Sequence, residues 1–274
     1  MNLQFLRRAA WAVCALALAA GMVLPIGAAH RNVAVYLDER PLLSDVAPFI
    51  DDGTAYVPLA AFARAMGDCQ VSWDGTSAQV TAEGLTLSAQ PNTQWVEANG
   101  RVFHVPGGVR LVDGRTMIPA RTATAVYGAQ VSWDSNSRSV HITGGGQMPE
   151  DGSTYYDADT LYWLSRVISA ESRGEPLLGQ IAVGNVVLNR LNSTVFPNSL
   201  YDVIFQPGQF EPVENGTIYD DPYYLSVIAA KLCLEGTQVV GDCMYFFAPA
   251  LSEGTWIVNN RTYYTTIGCH RFYL

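Results

Sequence analysis

Glu171 is the residue of this 274-residue chain best placed for acid chemistry. Leu161, Leu164, Ile168 and Glu171 fall at spacings of three, four and three, so they share one helical face, and Gly174 and Pro176 break the helix just beyond. Three of the four positions are apolar and the fourth is a carboxylate. Taking that carboxylate out of water penalises its charged form and raises its pKa, the condition for a general acid near neutrality. The competing reading is an ion pair of Glu171 with Arg173 or Arg166 at the helix end.

The next segment favours the chemical reading. Residues 180–190 (Gln-Ile-Ala-Val-Gly-Asn-Val-Val-Leu-Asn-Arg) are apolar almost all round, so this helix is buried. Pro176 suits its first turn. The acid is therefore expected where two helices meet through a tight turn, on the wall of a cleft.

Four ordered blocks carry a family resemblance: Glu171-Ser-Arg-Gly-Glu-Pro176, Gly179–Arg190, Phe196–Phe210 and Gly268-Cys-His-Arg-Phe-Tyr273. Together they resemble the catalytic domain of SleB-type cell wall hydrolases, the spore cortex-lytic enzymes and their relatives. The resemblance implies a lysozyme-like or lytic-transglycosylase-like α+β domain over residues 157–274 that acts on the glycan strands of peptidoglycan. It also implies that Glu171 is the catalytic glutamate. Lytic transglycosylases use one acid, which then removes a proton from the muramic acid 6-hydroxyl and leaves a 1,6-anhydro product.

Residues 31–144 are built from a repeat. Gln-Val-Ser-Trp-Asp occurs at 70–74 and again at 130–134, and each copy follows a Pro-started helix with a Gly stop, at Pro58 and Pro119. The pattern predicts a β-rich α+β domain, which resembles the copper amine oxidase N-terminal-like domain. His104 and His141 are isolated, so no metal is expected there and they read as surface or strand residues. Trp73 and Trp133 occupy matching positions, which favours a core role over stacking on sugars. Residues 145–156 (Gly-Gly-Gln-Met-Pro-Glu-Asp-Gly-Ser-Thr-Tyr-Tyr) begin as a polar stretch that reads as a flexible linker.

Residues 1–29 have the order of a secretory signal peptide: Arg7 and Arg8, an apolar run over 9–24, then Gly27-Ala28-Ala29. An uncleaved anchor is the alternative. Cleavage predicts a secreted protein of the cell wall or spore envelope with no stable membrane insertion. The chain carries a net charge of -9, and loss of Arg7 and Arg8 makes it -9 - 2 = -11. Such an acidic protein has no bulk attraction for nucleic acid, and wall binding must come from shape and hydrogen bonds. The N-terminal domain is the candidate contact to a wall or spore-surface partner.

Within 157–274, Asp157 or Asp159 should cap the Glu171 helix, a short helix should start near Asn198 or Ser199, and another should run from Asp221-Pro222 to Gly236. Residues 244–247, 256–258 and 263–267 read as a small antiparallel sheet, in which Cys243 and Cys269 could pair. Candidate second carboxylates are Glu175, Glu211, Glu214, Asp220 and Asp221. Of these, Glu175 reads as shaping a helix start, Glu211 and Glu214 as solvated, and Asp221 as a cap. Asn189, Gln206 and Gln209 are candidates to bind sugar hydroxyls or acetamido groups. Tyr245, Phe246, Trp256, Tyr263 and Tyr264 are candidates for a stacking wall, and His270 lies in the terminal block. No cofactor or metal is expected, because His270 is the sole histidine of this region and a zinc amidase needs several ligands. An amidase and a non-catalytic wall-binding protein are the competing functions.

Overall fold

The computed structural model describes residues 31–274, so the leader at 1–29 lies outside the described residues. Strands and helices are numbered in chain order. The repeat-built part contains β1 (Arg31–Asn32), β2 (Ala34–Leu37), β3 (Arg40–Pro41), β4 (Phe49–Asp51), β5 (Thr54–Pro58), α1 (Leu59–Met66), β6 (Cys69–Trp73) and β7 (Ala78–Ala82). It continues through β8 (Leu85–Ala89), β9 (Trp95–Ala98), β10 (Arg101–His104), β11 (Arg110–Val112), β12 (Arg115–Pro119), α2 (Ala120–Val126), β13 (Gln130–Asp134) and β14 (Ser139–Thr143).

These strands form three sheets, ordered β1-β4-β5-β12-β11, β10-β9-β8-β7-β6 and β13-β14-β2-β3. Period-two alternation sets their faces: Leu85, Leu87 and Ala89 of β8 are buried while Thr86 is exposed. The two repeats meet through equivalent strands, since β12 pairs antiparallel with β5 and Ile118 lies opposite Val57. Pro58 and Pro119 then stand at the N-caps of α1 and α2. Phe62 of α1 meets the ring of Tyr127 edge-on at 5.4 Å in the common core. His104 and His141 are strand residues of β10 and β14.

Trp73 and Trp133 correct the expectation of a core role: they are 51% and 49% exposed. The cause is their place in the sheets. β6 and β13 are edge strands, so no further strand flanks the matching tryptophans on that side.

The second part contains α3 (Gly152–Tyr155), α4 (Ala158–Ser172), α5 (Leu177–Leu191), α6 (Leu200–Ile204), α7 (Glu211–Asn215), α8 (Tyr224–Leu234), β15 (Tyr245–Phe247), α9 (Thr255–Asn260), β16 (Tyr263–Ile267) and β17 (His270–Tyr273). The chain is thus α+β in both parts. The side chain of Asp157 caps α4 by accepting from the Thr160 amide at 2.8 Å, and Ser199 caps α6 in the same way. Helices α4, α5 and α8 pack on one another around Leu164, Ile168, Ile181, Ile228 and Leu232. Gly184 lets them close. A Cβ there would lie 2.7 Å from both Ile168 Cδ1 and Cys233 Sγ.

Several local expectations are corrected. Helix α8 starts at Tyr224, and Asp221 does not cap it but bonds Arg166 at 2.9 Å. Residues 256–258 are helical, within α9, because the C-terminal strand β17 takes the centre of the sheet ordered β15-β17-β16. The Cys243–Cys269 bridge is absent, and the described cysteines are free thiols. Tyr245 pairs with Tyr273 and Ile267 with His270, which puts Cys243 and Cys269 at opposite ends of β17. Among the described residues no helix is long and apolar enough to cross a membrane.

The segment 145–156 is not a free tether. The Gly146 amide donates to Tyr127 O at 3.1 Å, Asn99 Nδ2 donates to Pro149 O at 2.8 Å, and the Gly152 amide donates to Asn99 O at 2.7 Å. The two parts then meet in a polar knot. Arg101 grips Glu235 with Nε and Nη2 at 2.8 and 2.6 Å, and Tyr156 Oη donates to the same carboxylate at 2.7 Å. The Val102 amide donates to Tyr156 Oη at 3.1 Å, and the Val102 side chain is buried in the core of the second part. Arg101 and Glu235 side chains keep only 16% and 8% exposure. Removing one member of such a pair strands the other charge out of water. Arg101→Ala should therefore cost roughly 3 kcal/mol of stability in chemical denaturation. The double variant Arg101→Met with Glu235→Leu should recover most of that loss, and equal losses in both would refute the account.

Candidate active site

Glu171 sits in the last turn of α4, half-buried. Among the described residues its carboxyl has no hydrogen-bond donor within reach, and its pKa is pushed up to about 7. Burial is the main cause, the Glu211 carboxylate adds to it, and the Arg190 guanidinium opposes both. The ion-pair alternative fails on geometry. Arg166 is committed to Asp221 and lies 3.7 Å over the Tyr162 ring, and Arg173 lies 5.5 Å over Tyr223.

Glu175 has a different job, although only four residues separate it from Glu171. Its Oε2 accepts from the Cys269 amide at 2.8 Å, and its Oε1 faces His270 Nδ1 at 3.7 Å. It pins the β16–β17 turn to the start of α5. Gly268 makes room for that approach: its φ is +58°, and a Cβ there would stand 1.7 Å from Glu175 Oε2.

The other sequence candidates divide. Asn189 Nδ2 donates to Gly241 O and Cys243 O at 2.7 and 2.9 Å, so it braces the chain entering β15 and has no spare donor for a sugar. His270 is buried against Glu175 and the edge of Phe246, and burial lowers its pKa. Phe246 packs on Phe272 in the core. Tyr245, one residue earlier on β15, points to the opposite face. There the guanidinium of Arg261 lies 4.6 Å over its ring and donates to its hydroxyl at 3.0 Å, and Trp256 stands 5.9 Å away. Tyr263 and Tyr264 are both about half-exposed on β16. Gln206 has a buried Oε1 without a partner among the described residues, and Gln209 is exposed.

Arg190 is the residue that sequence reasoning missed. It closes α5, is 5% exposed, and lies 5.1, 5.2 and 5.8 Å from the rings of Phe196, Phe210 and Tyr245. Its Nε donates to Met244 O at 2.8 Å, while Nη1 is buried without a partner among the described residues. Burial pushes its pKa down to about 10, so it stays charged at neutral pH. The signal was present, because an arginine ending an apolar helix is the same anomaly that singled out Glu171. Glu211, at the start of α7, is exposed, yet its charge reaches Glu171. The arrangement can hold a proton on Glu171 near neutrality and, through Arg190, stabilise the carboxylate left when that proton is given away.

Residues 174–273 match the family described as Cell Wall Hydrolase, and residues 36–142 match the Copper amine oxidase N-terminal domain. A spore cortex-lytic enzyme of Oceanobacillus iheyensis is 29% identical over 203 residues, which is 73% of this chain and 68% of that protein. One of Bacillus cereus is 37% identical over 117 residues, 43% of this chain and 45% of that protein. Against the latter the chain therefore spans less than half of the relative's length. The catalytic domain of the germination-specific lytic transglycosylase SleB of Bacillus anthracis is 35% identical and covers 46% of this chain and all of that one, with a TM-score of 0.42. Residues 174–273 are thus a cell wall hydrolase domain.

The raised acid has a stability consequence. The folded state holds the Glu171 proton more tightly than the unfolded chain, so stability falls as pH rises from about 4.5 through about 7 and then levels off. Glu171→Gln removes this dependence. One pKa unit corresponds to ~1.4 kcal/mol, and partial solvent access reduces the total, so the variant should be more stable than the parent by on the order of 1–3 kcal/mol at pH 8. The gain should vanish at pH 4. Thermal melts at both pH values check this, and a pH-independent difference would contradict it.

Proposed function

We propose that this chain cleaves the MurNAc–GlcNAc glycan strand of peptidoglycan with Glu171 as general acid and leaves 1,6-anhydro products. The observation that carries the reading is the half-buried Glu171 carboxyl, whose pKa of about 7 keeps a substantial protonated fraction at neutral pH. The relatives named spore cortex-lytic enzymes make the cortex of the spore the expected target. The leader at residues 1–29 would carry the enzyme across the membrane to that polymer, and its removal leaves a secreted protein.

The proton balance needs one carboxyl. Glu171 gives its proton to the glycosidic oxygen as the bond to the muramic acid C1 breaks, and C1 acquires oxocarbenium character. The sugar's 6-hydroxyl then attacks C1 and returns a proton to the Glu171 carboxylate. The acid is regenerated and no water is consumed. Arg190 stabilises the intervening carboxylate. Trp256, exposed and 5.9 Å from Tyr245, offers aromatic surface on which a sugar can stack.

Glu211 gives the second reading its footing, since its carboxylate is close enough to perturb Glu171. If Glu211 activated a water, the products would have reducing ends. Mass spectrometry of muropeptides from purified spore peptidoglycan separates the cases. We expect products one water lighter than hydrolysis would give, and their loss by roughly 10²–10⁴-fold or more in Glu171→Gln. Reducing ends that disappear in Glu211→Gln would favour a hydrolase, and free lactyl groups would favour an amidase.

The pH profile supplies a further check. The acid must be protonated, so the rate should hold below about pH 7 and fall above it. Glu211→Gln removes a charge that raises Glu171 and should move this limb to lower pH. An unmoved limb would separate Glu211 from the acid.

A further inference from the structure

The N-terminal repeats hold Trp73 in solvent on the edge strand β6. Trp73 is 51% exposed and makes no ring contact with another aromatic among the described residues. It borders a groove of about 780 Å³ whose lining also includes Leu43, Arg64, Ser72, Asp45 and Arg115. Neither Glu171 nor any other residue of the second part lines this groove.

The groove is built in advance. Asp74, next to the tryptophan, accepts from the amides of Thr76 and Ser77 at 2.9 and 2.8 Å, from the hydroxyls of both, and from Gln79 Nε2 at 2.8 Å. These bonds fix the β6–β7 turn and with it the backbone that carries Trp73, so little ordering is left for a ligand to impose. In the other repeat, Asp134 beside Trp133 accepts from the Asn136 amide and the Ser137 hydroxyl at 2.9 and 2.6 Å. The same device thus appears twice, each time holding an exposed indole on an edge strand.

The groove's chemistry narrows the ligand. An indole face beside small apolar side chains suits the C–H face of a pyranose ring. Asp45 and Arg115, bonded to each other, supply an acceptor and a donor at the rim. Arg64 has no ion-pair partner among the described residues and can meet a carbonyl or carboxylate on the ligand. With a net charge of -9 on the chain, a polyanion such as nucleic acid is a poor fit, whereas a sugar polymer bound by stacking and hydrogen bonds is not penalised.

We propose that the Trp73 groove is a second glycan-binding site, which takes an N-acetylated sugar of the same peptidoglycan strand that the C-terminal part cuts. This rests on the functional reading above. The Arg101–Glu235–Tyr156 knot fixes the groove relative to the catalytic part, so both sites can engage one polymer at a set offset, and a second contact raises the effective concentration at the first.

The test uses the full chain carrying Glu171→Gln, so that binding is read without cleavage. Sedimentation with purified peptidoglycan sacculi should show retention, which falls about tenfold on adding Trp73→Ala, the loss expected for one stacking contact. Trp73→Phe, which keeps an aromatic face, should lose less. With Glu171 intact, Trp73→Ala should cleave soluble glycan fragments at the parent rate and digest intact sacculi more slowly. Unchanged retention in Trp73→Ala would overturn the proposal. So would light scattering that shows the substitution abolishing self-association, which would make the groove an interface between copies of the chain. The Glu171 reading is tested apart, by whether the parent and not Glu171→Gln cleaves the soluble fragments. A failure there leaves the sedimentation result standing.

Discussion

A carboxyl group that is to hold its proton near neutrality must be kept from water and from close cations, and this constraint organises the C-terminal part. Glu171 meets the first condition by ending a helix whose apolar face is sealed by two others. The seal is tight because Gly184 lets Ile168 and Cys233 close on the α5 backbone. The second condition governs Arg190. A guanidinium bonded to Glu171 would hold the carboxylate ionised and remove the acid. Instead Phe196, Phe210 and Tyr245 surround Arg190, and Met244 O takes its Nε, so its charge acts on Glu171 without capturing the proton.

Glu171 and Glu175 show how two glutamates in one short motif acquire opposite roles. The Glu171 carboxyl lacks donors and is driven toward its neutral form. Glu175 accepts a backbone amide from a turn that Gly268 alone can shape so closely, and it serves as an anchor. Distance along the chain says nothing about this division, because the donor that decides it lies in the C-terminal hairpin, 94 residues away.

What could be read from the sequence was what local spacing and caps determine. The three-four-three spacing located Glu171 and the closed face of α4, Asp157 and Ser199 capped as their types predict, and the Gln-Val-Ser-Trp-Asp echo revealed paired strands of equivalent fold. What could not be read depends on partners remote in sequence. Matching tryptophans suggest a core, yet β6 and β13 are edges, a property of strand order. Residues 256–258 have strand-like composition, but the sheet had already been filled by β17. Asn189 looks like a sugar ligand until its amide is found on the carbonyls of Gly241 and Cys243. The glycine-rich start of 145–156 suggests a tether, and only the carbonyls and amides of Tyr127 and Asn99 reveal that it is bound down.

That bound segment changes how the two parts can work together. A free tether would let the catalytic part sample many orientations around whatever the repeats hold, and the benefit would depend on linker length alone. Here Glu235 takes hydrogen bonds from Arg101 and Tyr156 at once, and Lys231 and Tyr224 of α8 reach Gly100 O and Glu97 across the same junction. The contacts fall on α8, the helix that also packs against α4 and α5, which carry Glu171 and Arg190. The repeats therefore brace the helices that keep water from the acid, and their edge tryptophans are held at a fixed distance from it. A rigid pair suits a polymer substrate with a regular repeat better than a leash does, because strand geometry can then match the offset between two sites.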